Sequence, residues 1–129
     1  MIAHNKLTLG NEEEQAAQRV IRSGWLAQGP EVREFEEEFC YFLDIPAGHA
    51  VAVSSGTAAL FLSLWALRAQ GKRVAIPVYS CAALRNAVAM SGAVEMLIDV
   101  ERETPNIDLD SVIHSQVDIA IIPHIFGLP

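Results

Sequence analysis

Apolar positions recur at helical spacing over the first 43 residues, then gather into short β-branched runs, so the chain reads as two helices followed by alternating strands and helices. Residues 11–23 open with Asn-Glu-Glu-Glu, an N-cap followed by acids that the helix dipole favours, and Gly24 closes them. These signals predict a surface helix. Trp25, Leu26, Ala27, Gln28, Gly29 and Pro30 form a loop punctuated by Gly and Pro. Residues 31–43 bring Val32, Phe35, Phe39 and Phe42 to one side, which predicts a second helix with a buried Phe face.

After His49 the strands are predicted at 50–53, 73–77, 94–100 and 117–123, with helices at 57–70, 82–91 and 108–115. Strand-helix-strand alternation with nearly continuous apolar strands predicts an α/β fold, a mainly parallel sheet flanked by helices on both faces. No repeat, low-complexity stretch or linker interrupts the chain. A single domain over 1–129 is therefore expected, with a helical segment at 1–48 and β/α units at 49–129. The helix after Thr57 is apolar nearly all round, so it is expected to be buried, with Trp65 in the core.

Composition narrows the function classes. Hydrophobic residues make up 51% and charged residues 19% of 129 positions, which fits a globular domain rather than a disordered one. The net charge of −7, from nine Lys and Arg against sixteen Asp and Glu, supplies no basic stripe for a phosphate backbone. Nucleic acid is not an expected partner. The acids at Glu12, Glu13, Glu14, Glu31, Glu34, Glu36, Glu37 and Glu38 read as the solvated faces of the first two helices. Cys40 and Cys81 have neither disulfide-framework nor zinc spacing, which suits free thiols in a reducing cytoplasm. The longest apolar run, 57–67, is short of the roughly 20 residues that a membrane span needs. A cytoplasmic location without membrane partners is expected.

Three strand-to-helix turns carry the candidate chemistry. In Val53-Ser54-Ser55-Gly56-Thr57-Ala58, a strand runs through small residues into a helix whose first amides have no internal partners. Such a start can seat a phosphate, with Gly56 allowing close approach and the Thr57 hydroxyl adding a donor. It can equally be a serine cap on a buried helix. Pro77-Val78-Tyr79-Ser80-Cys81 repeats the arrangement one unit later, and Pro123-His124-Ile125-Phe126-Gly127 does so again. Ligands of parallel α/β sheets bind at the carboxyl ends of strands, where all three turns are expected. His124 is also readable as an ordinary loop histidine.

The ordered series Ser23-Gly24-Trp25, Gln28-Gly29-Pro30, Phe35-Glu36, Ser54-Ser55-Gly56-Thr57-Ala58-Ala59-Leu60, Pro77-Val78-Tyr79-Ser80, Asn86-Ala87-Val88, Gly92-Ala93, Asp99-Val100, Asn106-Ile107-Asp108 and His124 to Pro129 resembles the opening part of the DegT/DnrJ/EryC1/StrS sugar aminotransferases. The resemblance implies part of a fold type I large domain binding pyridoxal phosphate, with an active site shared between two subunits. Gly56, Thr57 and Ala58 would hold the cofactor phosphate. Cys81 would stand where a stacking ring, often Trp or Phe, is usual in the family, and His124 would lie near the other edge of the cofactor. Trp25, Gln28 and Gly29 would approach the sugar substrate site, in a partner subunit.

Transamination also needs a lysine that holds the cofactor covalently and moves the proton, and a carboxylate on the pyridine nitrogen. In the family both usually lie later than the stretch matched here. The two lysines, Lys6 and Lys72, are at the terminus and in a turn at the amino end of a strand, so no catalytic residue is assigned and this chain alone is expected to be inactive. In the family the strand before the Ser-Gly-Thr turn pairs with late strands, while the next three sit together. An unpaired 50–53 strand would favour a homo-oligomer, a rearranged sheet or a longer parent polypeptide. Two alternatives stay open: a non-catalytic binding or oligomerisation module derived from this fold, and a Cys81/His124 hydrolase, for which no third orienting group is indicated.

Overall fold

The computed structural model describes residues 7–128, so Lys6 and Pro129 lie outside the description. The chain divides into two compact units, Met1–Ala52 and Val53–Pro129. In the first, α1 spans Asn11–Ser23 as the acidic opening and Gly24 predict, but its cap falls one residue earlier. Gly10 takes the cap position because the Glu13 carboxylate reaches back to its amide at 2.6 Å, which also holds the Glu13 pKa below its ordinary value. Gly24 ends the helix at φ 71, its amide donating to the Ile21 carbonyl.

Helix α2 spans Pro30–Phe42, with Pro30 in the first turn, where its missing N–H costs nothing. Its Phe face is not buried. Phe35 and Phe39 pack against each other at 5.9 Å between centroids, yet both are exposed, as is Phe42; within the unit only Cys40 is buried among the large apolar side chains of α2. Among the described residues of this unit, no second layer covers that stripe. The predicted strand at 50–53 does not form either, because no strand among the described residues pairs with it. Its Ala52 amide instead donates to Glu36 Oε1 at 2.7 Å.

The second unit is a three-stranded parallel sheet in the order β2-β1-β3. Strand β1, Arg73–Pro77, matches its predicted bounds and is central; β2 is Val94–Ile98 and β3 is Ile119–Ala120. Helix α3 spans Gly56–Ala66, α4 Ala82–Met90 and α5 Leu109–His114. Side-chain parity on β1 separates two cores. Val74 and Ile76 join Leu64, Leu84, Ala87 and Val88 from α3 and α4, whereas Ala75 on the other face meets Ile98 and Ile107.

Both outer strands are shorter than their apolar runs. After Ile98, the Asp99 carboxylate takes the Val100 amide, and Val100 turns to bridge Ile107 antiparallel. β3 is bonded to β1 on both sides, through the Asp118 amide to the Arg73 carbonyl and the Ile121 amide to the Ala75 carbonyl, and its entry is held further: Arg73 donates from its guanidinium to the Ser115 and Gln116 carbonyls, and the Asp118 carboxylate accepts from the Arg73 amide. Helix α3 is covered on one side only. Leu64 is buried, but Trp65 is 69% exposed, so it is not a core residue. The sheet and α4 occupy one flank of α3, and no described part of this unit covers the other. Among the described residues no helix is long and apolar enough to cross a membrane.

Candidate functional site

The direction of α3 follows from one hydrogen bond. Lys72, just before β1, donates from Nζ to the Leu67 carbonyl at the C-terminal end of α3 at 2.8 Å. An 11-residue helix and a five-residue strand each extend about 16 Å, so the start of α3 comes level with the carboxyl end of β1. Helix α4 is tied in the same way, through the Gly71 amide and the Gly92 carbonyl at 2.9 Å. The two helix starts therefore share one end of the sheet. Lys72 is at the opposite end.

At the start of α3, Ser55 is the cap: its Oγ accepts from the Ala58 amide at 3.2 Å and its carbonyl from the Ala59 amide at 3.0 Å. The Gly56 and Thr57 amides meet no acceptor among the described residues. Of the three residues read as a phosphate seat, Ala58 has its amide committed, and Gly56 and Thr57 keep theirs. A Cβ built on Gly56 would meet nothing within 4 Å, and the residue does not have a left-handed φ. Neither backbone conformation nor packing requires glycine there. Two adjacent acceptor-free donors at a dipole-positive helix end, with room beside Gly56, suit an anion that approaches the backbone, so these residues fit a phosphate group.

The second and third turns meet in a cleft of about 320 Å³, lined by Tyr79, Ser80, Cys81, Ile125 and Phe126. Cys81 is the exposed N-cap of α4 with a free thiol. His124 is exposed and precedes a single 3₁₀ turn, Ile125–Gly127, which its carbonyl anchors by accepting from the Gly127 amide at 3.0 Å. The structure thus brings Cys81 beside the segment that His124 begins, while His124 itself does not line the cleft. Phe126 does line it. Its signal in the sequence was an aromatic residue placed before glycine in a turn, which reads there as part of a motif rather than as a wall.

The remaining residues lie in the first unit, around a separate cleft of about 490 Å³. Trp25, Gln28 and Gly29 line it together with Arg33 and Glu36, two charged residues that were not singled out as ligands. The indole Nε1 donates to the Gln28 carbonyl at 2.6 Å and lays the ring over Gly29, so a side chain at Gly29 would collide with Trp25. Any side chain at Gly29 would therefore have to displace the exposed indole from its seat.

A profile described as the DegT/DnrJ/EryC1/StrS aminotransferase family matches residues 7–129. The dTDP-4-dehydro-2,3,6-trideoxy-D-glucose 4-aminotransferase of Saccharopolyspora spinosa is 41% identical over 113 residues, 87% of this chain and 29% of that protein. Spore coat polysaccharide biosynthesis protein SpsC of Bacillus subtilis is 37% identical over 123 residues, 92% of this chain and 31% of its own length. The apo-form of Spr1654 from Streptococcus pneumoniae superposes with a TM-score of 0.89 at 24% identity, covering 99% of this chain and 33% of that one. Its PLP-form gives 0.78 at 27% identity, over 86% and 28%. The chain spans about a third of the length of these relatives, and the fold they share is that of fold type I pyridoxal-phosphate aminotransferases.

Proposed function

Because this chain belongs to the DegT/DnrJ/EryC1/StrS aminotransferase family, we propose that it forms the phosphate-seating portion of a pyridoxal-phosphate-dependent aminotransferase for keto sugars. What supports this reading is the pair of acceptor-free amides at Gly56 and Thr57, with free space beside Gly56, at the ligand-bearing end of the sheet. The Thr57 hydroxyl adds a donor on the same turn, and Ala58 closes the seat through the Ser55 cap. Cys81 would meet the cofactor's ring from the second turn, and His124, which precedes the third turn without lining the cleft, would stand near its other edge. Trp25, Gln28 and Gly29 serve the sugar in a site completed by another copy of the chain.

Bound pyridoxal phosphate supplies the electron sink that transamination needs. This chain's own residues bind and orient. Lys72, bonded to the Leu67 carbonyl at the wrong end of the sheet, is not in a position to hold the cofactor covalently. The chain alone is therefore expected to bind the phosphate without turning over an amino donor. The test is equilibrium dialysis with pyridoxamine 5′-phosphate and with pyridoxamine, followed by borohydride reduction of a pyridoxal phosphate mixture. Phosphate-dependent binding without a stable lysine adduct is the expected result. Equal binding of both amines, or a single reduced lysine together with turnover, would overturn the reading.

A second reading, a binding or oligomerisation module, is favoured by the exposed aromatic side chains Phe35, Phe39 and Phe42. It predicts no phosphate-dependent binding in the same dialysis.

A further inference from the structure

Asn106 lies on the loop after β2, next to the Val100–Ile107 bridge, yet its side chain acts 19 and 22 residues further along the chain. Its Oδ1 accepts from the Ile125 amide at 3.1 Å, and its Nδ2 donates to the Leu128 carbonyl at 3.2 Å. These two bonds grip both ends of the Ile125–Gly127 turn. Between them Phe126 sits at φ 57, a left-handed conformation that is costly for a bulky aromatic residue. Phe126 is 82% exposed, and it lines the cleft with Tyr79, Ser80 and Cys81.

A turn that merely closed the chain would be served by Gly or Asn at that position and would have no use for an exposed ring. The geometry points to Phe126 as a contact for the flat ring of a ligand in this cleft, with Asn106 as the positioning residue that holds it there. The inference rests on the cofactor reading of the cleft and deepens it. An aromatic ring offers a planar ligand offset stacking, which the Cys81 thiol cannot provide.

The test uses the full chain and two readouts. In dialysis against pyridoxamine 5′-phosphate, Phe126→Ala and Asn106→Ala should each weaken binding by about tenfold, and the double variant should be no weaker than either single one. Phe126→Tyr should retain binding. In the ligand-free protein, both alanine variants should raise the rate at which iodoacetamide alkylates Cys81 by about threefold, with buried Cys40 unreactive. Asn106→Asp keeps the acceptor for Ile125 and serves as the comparison should Asn106→Ala fail to fold; it should give an intermediate rate. Equal binding by the parent chain and Phe126→Ala would overturn the contact while leaving the cofactor reading intact. Failure of the parent chain to bind would overturn both. An unchanged Cys81 rate in the Asn106 variants would overturn the positioning role.

Discussion

A methyl group added at Gly29 would run into the Trp25 indole, whereas one added at Gly56 would enter open space. The two glycines therefore separate packing from ligand access. Gly56→Ala should leave the denaturant midpoint unchanged or slightly raised, since alanine restricts the unfolded chain and is the better helix former. The same change should weaken pyridoxamine 5′-phosphate binding by about tenfold, by crowding the two free amides. Urea unfolding and dialysis on one preparation measure both; lost stability with unchanged binding would show that the glycine serves the fold. Sequence alone left Gly56 readable as either a phosphate seat or part of a serine cap. The structure contains both features, with Ser55 capping Ala58 and the preceding amides left over.

Elements whose boundaries are set locally were legible, and those set by partners were not. α1 begins and ends on its own acids and Gly24, and β1 is Arg73 followed by four buried apolar residues, so both match their sequence patterns. The 50–53 run has the same β-branched character, but a strand exists only through a neighbour, which sequence does not reveal. β3 likewise contracts to two residues, because its ladder with β1 runs only from the Asp118 amide on Arg73 to the Ile121 amide on Ala75. The cap of α5 gives a pH prediction. Foremost the Ser111 hydroxyl, then backbone amides and His114, hold the Asp108 pKa below its ordinary value. A folded-state pKa below the unfolded one stabilises fully above the unfolded value and is lost as pH falls through the folded one. The melting-temperature gap between the parent chain and Asp108→Asn should therefore be widest near neutral pH and close on acidification through that range. A gap that stays constant would show that the carboxylate's charge plays no part.

At the scale of the whole molecule, each unit leaves aromatic surface uncovered, with Phe42 at 80% and Trp65 at 69% exposure. Monomeric proteins rarely leave such surface in contiguous patches. Helical periodicity predicts the helix, but burial depends on a covering layer, which the described residues do not supply over Phe42 or Trp65. The purified chain should accordingly sediment with a concentration-dependent mass above its 14.1 kDa, and a single species of that mass at all concentrations would argue against self-association. The central claim is that a small anion is received by two particular amides. Amide-resolved NMR titration with pyridoxamine 5′-phosphate tests it most directly. The Gly56 and Thr57 resonances should move furthest and saturate together, while that of Ala58, bonded to Ser55, moves less. Saturable binding that leaves Gly56 and Thr57 unmoved would contradict the account.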